Sequence, residues 1–408
     1  MDKHRKLRIR NLKKRHAKER RFKFFGILSI GFALAFLVIL FGMILTKSSD
    51  AFLRSEIALE IDLTKESDIA EINYRQLIKN SLRAEFPEAK TLADFSLIYQ
   101  LPSKIAALEL EKQITNNPIL LGSKVNFWLS ASSKSDMFFK HHDKSSLNEQ
   151  QIIWLEKLIA DKKIKTVFNW KFFQFADSRE PEIAGIGAGF VGSLLVMVIF
   201  LTFAFPIGVM CAFYLEEFAP KNKITDIIEI SINNLAAIPS IIYGLLGLTL
   251  YLQFMNLPRS SSLVGGMTLF MLVLPVIIIA TRNTIRAIPT SIRDAAMALG
   301  ASKMQVTLHH LLPLAVPGIM TGTILAMSRA LGETAPLLMI GMVAFIADIP
   351  KNFTDPTTAL PVQIYLWSDS PEAGFAEKTA AAILLLLAVL ILFNLVAIIL
   401  RKKFERKW

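Results

Sequence analysis

Arg329 and Glu333 are charges that an apolar run has little reason to keep. They stand in Arg329-Ala-Leu-Gly-Glu333-Thr-Ala-Pro336, about a dozen residues past the start of a stretch predicted to cross a membrane, and so near its middle. A charge there costs about 2.5–3.5 kcal/mol on insertion scales. Spaced i,i+4, the two share one helix face. A guanidinium offers a fork of donors suited to oxyanions, and a nearby carboxylate can position or balance it. Two readings stand. One is a self-compensating structural pair facing a helix bundle. The other is an anion pathway carrying Arg329, Glu333 and the adjoining Thr334. Arg282 ends another apolar run; the preference for basic residues on the cytoplasmic side explains it, and a pathway role is the alternative.

Other chemical signals are weaker. Gly187-Ala-Gly189-Phe-Val-Gly192 matches a dinucleotide fingerprint, but no strand precedes it and it opens an apolar span, so its small residues are expected to permit close helix contact. Gly318 and Gly322 form a second small-residue pair. His141-His142-Asp143 has metal-ligand residue types, but adjacent residues rarely share one ion, and no metal site is expected. Cys211 is the only cysteine, which excludes a disulfide framework within the chain. The sequence contains no G-x-x-x-x-G-K-[ST], HExxH or G-x-S-x-G run. The chain is therefore expected not to be an enzyme, and any energy source lies in another subunit or an ion gradient.

The elements that must position these residues are membrane helices. The 408 residues are 53% hydrophobic with a mean hydropathy of +0.44, more apolar than a soluble domain needs. The net charge of +12 sits at the ends: residues 1–23 hold twelve Lys/Arg against Asp2 and Glu19, and residues 401–408 hold five against Glu405. Basic ends beside apolar runs point to cytoplasmic tails facing membrane lipid, and away from nucleic acid. Phe24–Leu45 is uncharged and long enough to span a bilayer, and it is expected to be retained. Five further spans are predicted near Ile186–Leu215, Asn233–Leu252, Leu263–Thr281, Leu314–Ile340 and Thr379–Leu400. Six spans place both ends in the cytoplasm and residues 46–182 outside.

Residues 46–182 carry nineteen Lys/Arg and twenty Asp/Glu without a long apolar run, as a soluble mixed α/β domain would. The alternation of Ile57, Leu59, Ile61 and Leu63 predicts a half-buried strand. Val125–Leu129 and Thr166–Phe175 also read as strands, and Ile69–Phe86 as an amphipathic helix. Ser146 and Glu149 predict a capping box ahead of a helix carrying Ile152, Leu155, Leu158 and Ile159.

Between the fourth and fifth predicted spans lies a modestly charged stretch. Ser291 and Asp294 predict a helix start, Asp294-Ala-Ala-Met-Ala-Leu299 is strong helix-former text, and Gly300 is a natural stop. Ser302 and Gln305 open a second helix that leads toward Pro313 and Pro317. A helix, a glycine turn and a second helix, held between spans, make a docking element. Its low charge and its tethers at both ends exclude a DNA-reading helix-turn-helix.

Asp294-Ala295-Ala296, Gly300 four residues later, and Leu312-Pro313 resemble the "EAA" loop of ABC importer membrane subunits, with Asp in place of Glu. The runs Asn234-Leu-Ala-Ala-Ile-Pro239-Ser240-Ile-Ile-Tyr243-Gly244-Leu-Leu-Gly247 and Gly332-Glu333-Thr334-Ala335-Pro336-Leu337-Leu338, with Arg329, are similar to those of the PstA family of phosphate-importer permeases. The resemblance covers about residues 186–400. It implies an α-helical polytopic membrane protein with a MetI-like permease core of six transmembrane helices and an inserted extracytoplasmic domain. It implies docking to an ATPase through Arg293, Asp294, Ala295, Ala296, Leu299, Gly300 and Ala301. The implied partners are a PstC-like permease, a PstB-like ATPase dimer and a PstS-like periplasmic phosphate-binding protein at the bacterial inner membrane. No cofactor is expected on this chain itself, ATP and Mg being used by the ATPase. Inorganic phosphate uptake by alternating access is the implied function. A related oxyanion such as molybdate or tungstate, and a membrane-anchored sensor built on residues 46–182, are the alternatives.

Overall fold

The structure, a computed structural model, describes residues 3–64, 69 and 72–404. The outermost residues of both basic tails and residues 70–71 of the expected Ile69–Phe86 helix lie outside the described residues.

Among the described residues, five helices are long and apolar enough to cross a membrane: Arg15–Ala51, Gly187–Phe218, Ser262–Arg286, Lys303–Gly332 and Gly374–Lys403. A sixth apolar stretch is bent at a break. Lys223–Ala236 and Ser240–Phe254 meet at 102°, so the straight span expected at Asn233–Leu252 is two helices. Pro239 accounts for the break, because a proline in a continuous helix would clash with the carbonyl four residues back, at Leu235. The fifth crossing also ends earlier than expected. Its helix stops at Gly332 and a short helix, Ala335–Met339, follows. Pro336 stands four residues after Gly332 and acts in the same way.

Small residues set the distance between these helices. A Cβ on Gly322 would collide with Ala280, and one on Gly318 with the Thr284 side chain. Ala326 and Ala330, buried on the same face, continue the seam along the fifth helix. In lipid, where apolar burial drives little association, such close backbone contact is what holds helices together. Gly322→Val is expected to cost about 1–3 kcal/mol of overpacking, read as a lower melting temperature of the detergent-solubilised chain. The fingerprint-like glycines serve the same purpose. Gly192 packs under the Thr358 carbonyl and Gly189 against Gln363, seating the loop before helix Leu360–Ser368 on the second span.

Residues between the first two spans form a globular insert at the end of the bundle opposite the 286–303 connection. Its sheet has three antiparallel strands in the order β2-β1-β3: β1 Leu53–Asp62, β2 Lys124–Ser130 and β3 Ile164–Phe168. Ile57 pairs with Leu129 on one side and Ile164 on the other. Ile57, Leu59 and Ile61 face one way and are fully buried under helices Tyr74–Glu85, Ala106–Asn116 and Glu149–Ala160. Three expectations shift here. The first of these helices starts at Tyr74, where the Asn73 side chain accepts from the Gln76 amide at 3.1 Å. The third starts at Glu149 with Asn148 as its cap, not Ser146, and the Asn148 amide donates to Gln151 Oε1 at 3.2 Å. The third strand ends at Phe168, and Lys171–Gln174 is a helical turn. Aromatic text there reads as strand, but Phe172 is needed as a fully buried plug between the insert and the bundle, beside Trp367 and Phe375.

Candidate functional site

The connection after the fourth span folds as a helix, Thr290–Ala298, a turn at Gly300, and a second helix from Lys303. Gly300 has φ +86°, a conformation that any side chain would strain. The Ser302 hydroxyl accepts from the Gln305 amide, and Gln305 Oε1 accepts from the Ser302 amide at 2.9 Å, which is the expected capping box. The first helix departs from expectation. It follows Pro289 directly, so Ser291 and Asp294 lie inside it and make no cap. Proline before the first turn presets the entry without a side-chain acceptor.

This element turns one face inward and one outward. Ala296 is buried on its own chain beside Ile288 and Val306. Asp294, Ala295 and Gly300 are exposed, Ala301 is half-buried, and Leu299 projects with 91% of its surface open. Met297 and Met304 extend the apolar outer face. Arg293 points inward. Its guanidinium donates to Glu217 Oε1 at 2.9 and 3.0 Å and to the Ile285 and Ile288 carbonyls at 3.0 Å each. It therefore ties the connection to the ends of the second and fourth spans, and offers little to a partner.

Glu217 has a neighbour in the same tie. The second span ends in a widened, π-helical turn at Tyr214–Phe218. Adjacent Glu216 and Glu217 reach different helices from it. Glu216 accepts from Arg282 Nε at 2.6 Å and from Arg286, and Glu229 of the bent stretch also pairs with Arg282. The Arg282 side chain is only 5% exposed. This network joins four pieces of chain around the helix–turn–helix. Glu217→Gln is expected to loosen that element by about 1–3 kcal/mol, read as faster amide hydrogen exchange across residues 290–305 with the rest of the chain unchanged. Arg282 is not brought to Arg329. Ala280 faces Gly322 and Thr284 faces Gly318, so the two helices run antiparallel. Arg329 lies seven residues beyond Gly322, about 10 Å further along the axis and away from Arg282.

Arg329 sits in the last turn of the fifth helix, and Glu333 is its C-terminal cap. Arg329 Nε lies 3.3 Å from Glu333 Oε1. The shared face expected from their spacing therefore survives the end of the helix. The Arg329 side chain is 46% exposed, and with Leu325 it marks a face left open among the described residues. Thr334 follows in the break between two helices and is half-buried. Irregular backbone at mid-membrane depth is tolerated where it lines a cavity or another protein. The two runs that carry the resemblance meet at this break: a Cβ on Gly244 would crowd Pro336 and Met339. Sequence spacing did not reveal Glu216, Glu217 or Glu229 as partners. Their only signal was three acids close to the ends of apolar runs.

Residues 204–408, half of the chain, match the family described as "Binding-protein-dependent transport system inner membrane component". Residues 9–149 match a family described as a domain of unknown function (DUF3333). Among known proteins, the chain is similar to the probable ABC transporter permease protein YqgI of Bacillus subtilis. They are 33% identical over 245 residues, covering 55% of this chain and 81% of that one. It is similar to the phosphate transport system permease protein PstA of Mycobacterium leprae, 30% identical over 243 residues, 58% of this chain and 79% of that one. It is likewise similar to PstA of Haemophilus influenzae, 32% identical over 212 residues, 52% of this chain and 74% of that one.

Proposed function

The chain belongs to the family of binding-protein-dependent transport system inner membrane components, and from that premise we propose that it is the permease subunit of an ATP-driven importer of inorganic phosphate. Subunits of this family work with an ATPase and a substrate-binding protein, in the inner membrane. The substrate follows from relatives named as phosphate transport permeases. The observation on this chain that carries it is Arg329: a guanidinium at a helix break, with Glu333 beside it, on a face its own chain leaves open.

The partners are then a PstC-like permease on that open face, a PstB-like ATPase dimer under Ala295, Leu299 and Gly300, and a PstS-like phosphate-binding protein at the end that carries the insert. Both termini lie in the cytoplasm and the insert in the periplasm, in keeping with the basic tails. Transport is alternating access. ATP binds the two states unequally, and closure of the ATPase pulls the 290–311 element. The ion network of Arg282, Arg293, Glu216, Glu217 and Glu229 passes that movement to three crossings at once. Arg282 serves in this linkage, and Arg329, Glu333 and Thr334 serve the anion.

The test is uptake of labelled phosphate into vesicles holding the four-component complex. ATP-dependent phosphate accumulation that excess molybdate and tungstate leave unchanged is the expected result. Equal competition by either would replace phosphate as the substrate, and recovery of the chain without any ATPase under gentle extraction would overturn the importer assignment.

A further inference from the structure

His141, His142 and Asp143 diverge in the fold. His142, with φ +53°, ends helix Ser133–His141, and its ring packs edge-on against Phe138. Asp143 accepts from the Ser145 amide at 2.9 Å. His141 alone enters the junction between the insert and the bundle. Its Nε2 lies 2.8 Å from Glu377 Oε1 and 3.5 Å from Asp50 Oδ2. One ligand atom from each of the three lies within 4.8 Å of the other two. They come from three separate places: the end of the first helix, the insert, and the first turn of the last helix.

We infer that Asp50, His141 and Glu377 form a binding site for a divalent transition-metal ion of the zinc class, which fastens the insert to the first and last spans. Zinc bound at about 2.0–2.2 Å to three such donors holds them about 3.4 Å apart. The His141–Asp50 separation of 3.5 Å already fits, and the His141–Glu377 pair at 2.8 Å opens by about half an ångström on binding. One imidazole with two carboxylates suits zinc or manganese, and the nitrogen donor selects against magnesium and calcium. His141 is 39% exposed, so a fourth position can open to water.

The surroundings orient the donors. Lys140 Nζ sits 3.4 Å from Glu377 Oε2, leaving Oε1 to the site. The same ammonium pairs with Asp136 at 2.7 Å and donates to the Asp50 and Leu53 carbonyls. A partner of this kind fixes a ligating carboxylate. Charge agrees with a dication. Asp50, Asp136 and Glu377 carry three negative charges against the one positive charge of Lys140, and the neighbouring Glu182 and Lys378 offset each other. A divalent ion neutralises the two remaining negative charges, where a protonated His141 in a metal-free cluster would neutralise one of them.

The full chain, purified in detergent and stripped with EDTA, is dialysed against zinc chloride with excess magnesium, and bound metal is measured by mass spectrometry. One zinc per chain, with a raised melting temperature, is expected. His141→Gln can keep a hydrogen bond to Glu377 but offers no imidazole; Asp50→Asn removes a second ligand. Each is expected to weaken zinc binding by at least about 100-fold while melting in EDTA like the parent. A parent chain that retains no zinc overturns the inference without recourse to any variant. So does zinc retained equally by both variants, or zinc displaced by magnesium.

Discussion

Phosphate uptake is expected to fall by about 100-fold when Arg329 is replaced by Gln, with the chain still inserted and still bound to its ATPase. That factor corresponds to about 2.7 kcal/mol. It is the loss expected when charge-assisted hydrogen bonds to an oxyanion are removed, each worth about 1.5–3 kcal/mol. Arg329→Lys should fall between the two, because an ammonium keeps the charge and loses the planar fork. The companion variant decides what kind of residue Arg329 is. In the structure it pairs with Glu333 at 3.3 Å. If the pair were only structural, Arg329→Gln would strand a carboxylate at mid-membrane depth, and adding Glu333→Gln would restore uptake. If Arg329 serves the anion, the double variant stays inactive. Wild-type uptake in the single variant, measured per inserted complex, would remove Arg329 from the pathway altogether.

The second large effect is at the proposed ATPase dock, the 290–311 element. Leu299→Asp is expected to weaken ATPase association by about 30-fold, near 2 kcal/mol, the range of an interface hot spot. The side chain is 91% exposed on this chain, so its loss should leave the fold intact. Gly300→Val acts by another route. Its φ of +86° would cost a β-branched residue about 1–2 kcal/mol in strain, and the turn would reshape. Both should reduce uptake to background, with ATPase recovery lost for Leu299→Asp in copurification. A bulky residue at Ala296 is a poorer probe, because that methyl is buried against Ile288 and Val306 of the same chain. Full ATPase recovery with Leu299→Asp would move the dock elsewhere.

Much of this was legible in the text. The helix–turn–helix at 290–311 followed from Gly300 and from Ser302 with Gln305, because turn and cap chemistry are local. The Arg329–Glu333 pair followed from i,i+4 spacing. The strand at Leu53–Asp62 followed from period-two alternation of Ile57, Leu59 and Ile61. The bend at Pro239 and the early end of the fifth crossing were legible in principle. Pro239 and Pro336 each stand four residues after the carbonyl that a straight helix would have needed, but apolar text on both sides masked the break.

What the sequence alone determined, then, is what depends on neighbours along the chain: which segments are long and apolar enough to cross a membrane, where the helix–turn–helix at 290–311 falls, and which charges stand within apolar text. Only the tertiary structure decided which distant side chains meet. It turned Arg293 inward to Glu217, drew Arg282 into a buried ion network about 10 Å or more from Arg329 along the helix axis, and separated His141 from His142 to join Asp50 and Glu377. The physical reason is that helix crossing distances are set by particular contacts, such as Gly322 on Ala280 and Gly192 on Thr358. A contact between residues far apart in the chain leaves no periodic trace in either stretch.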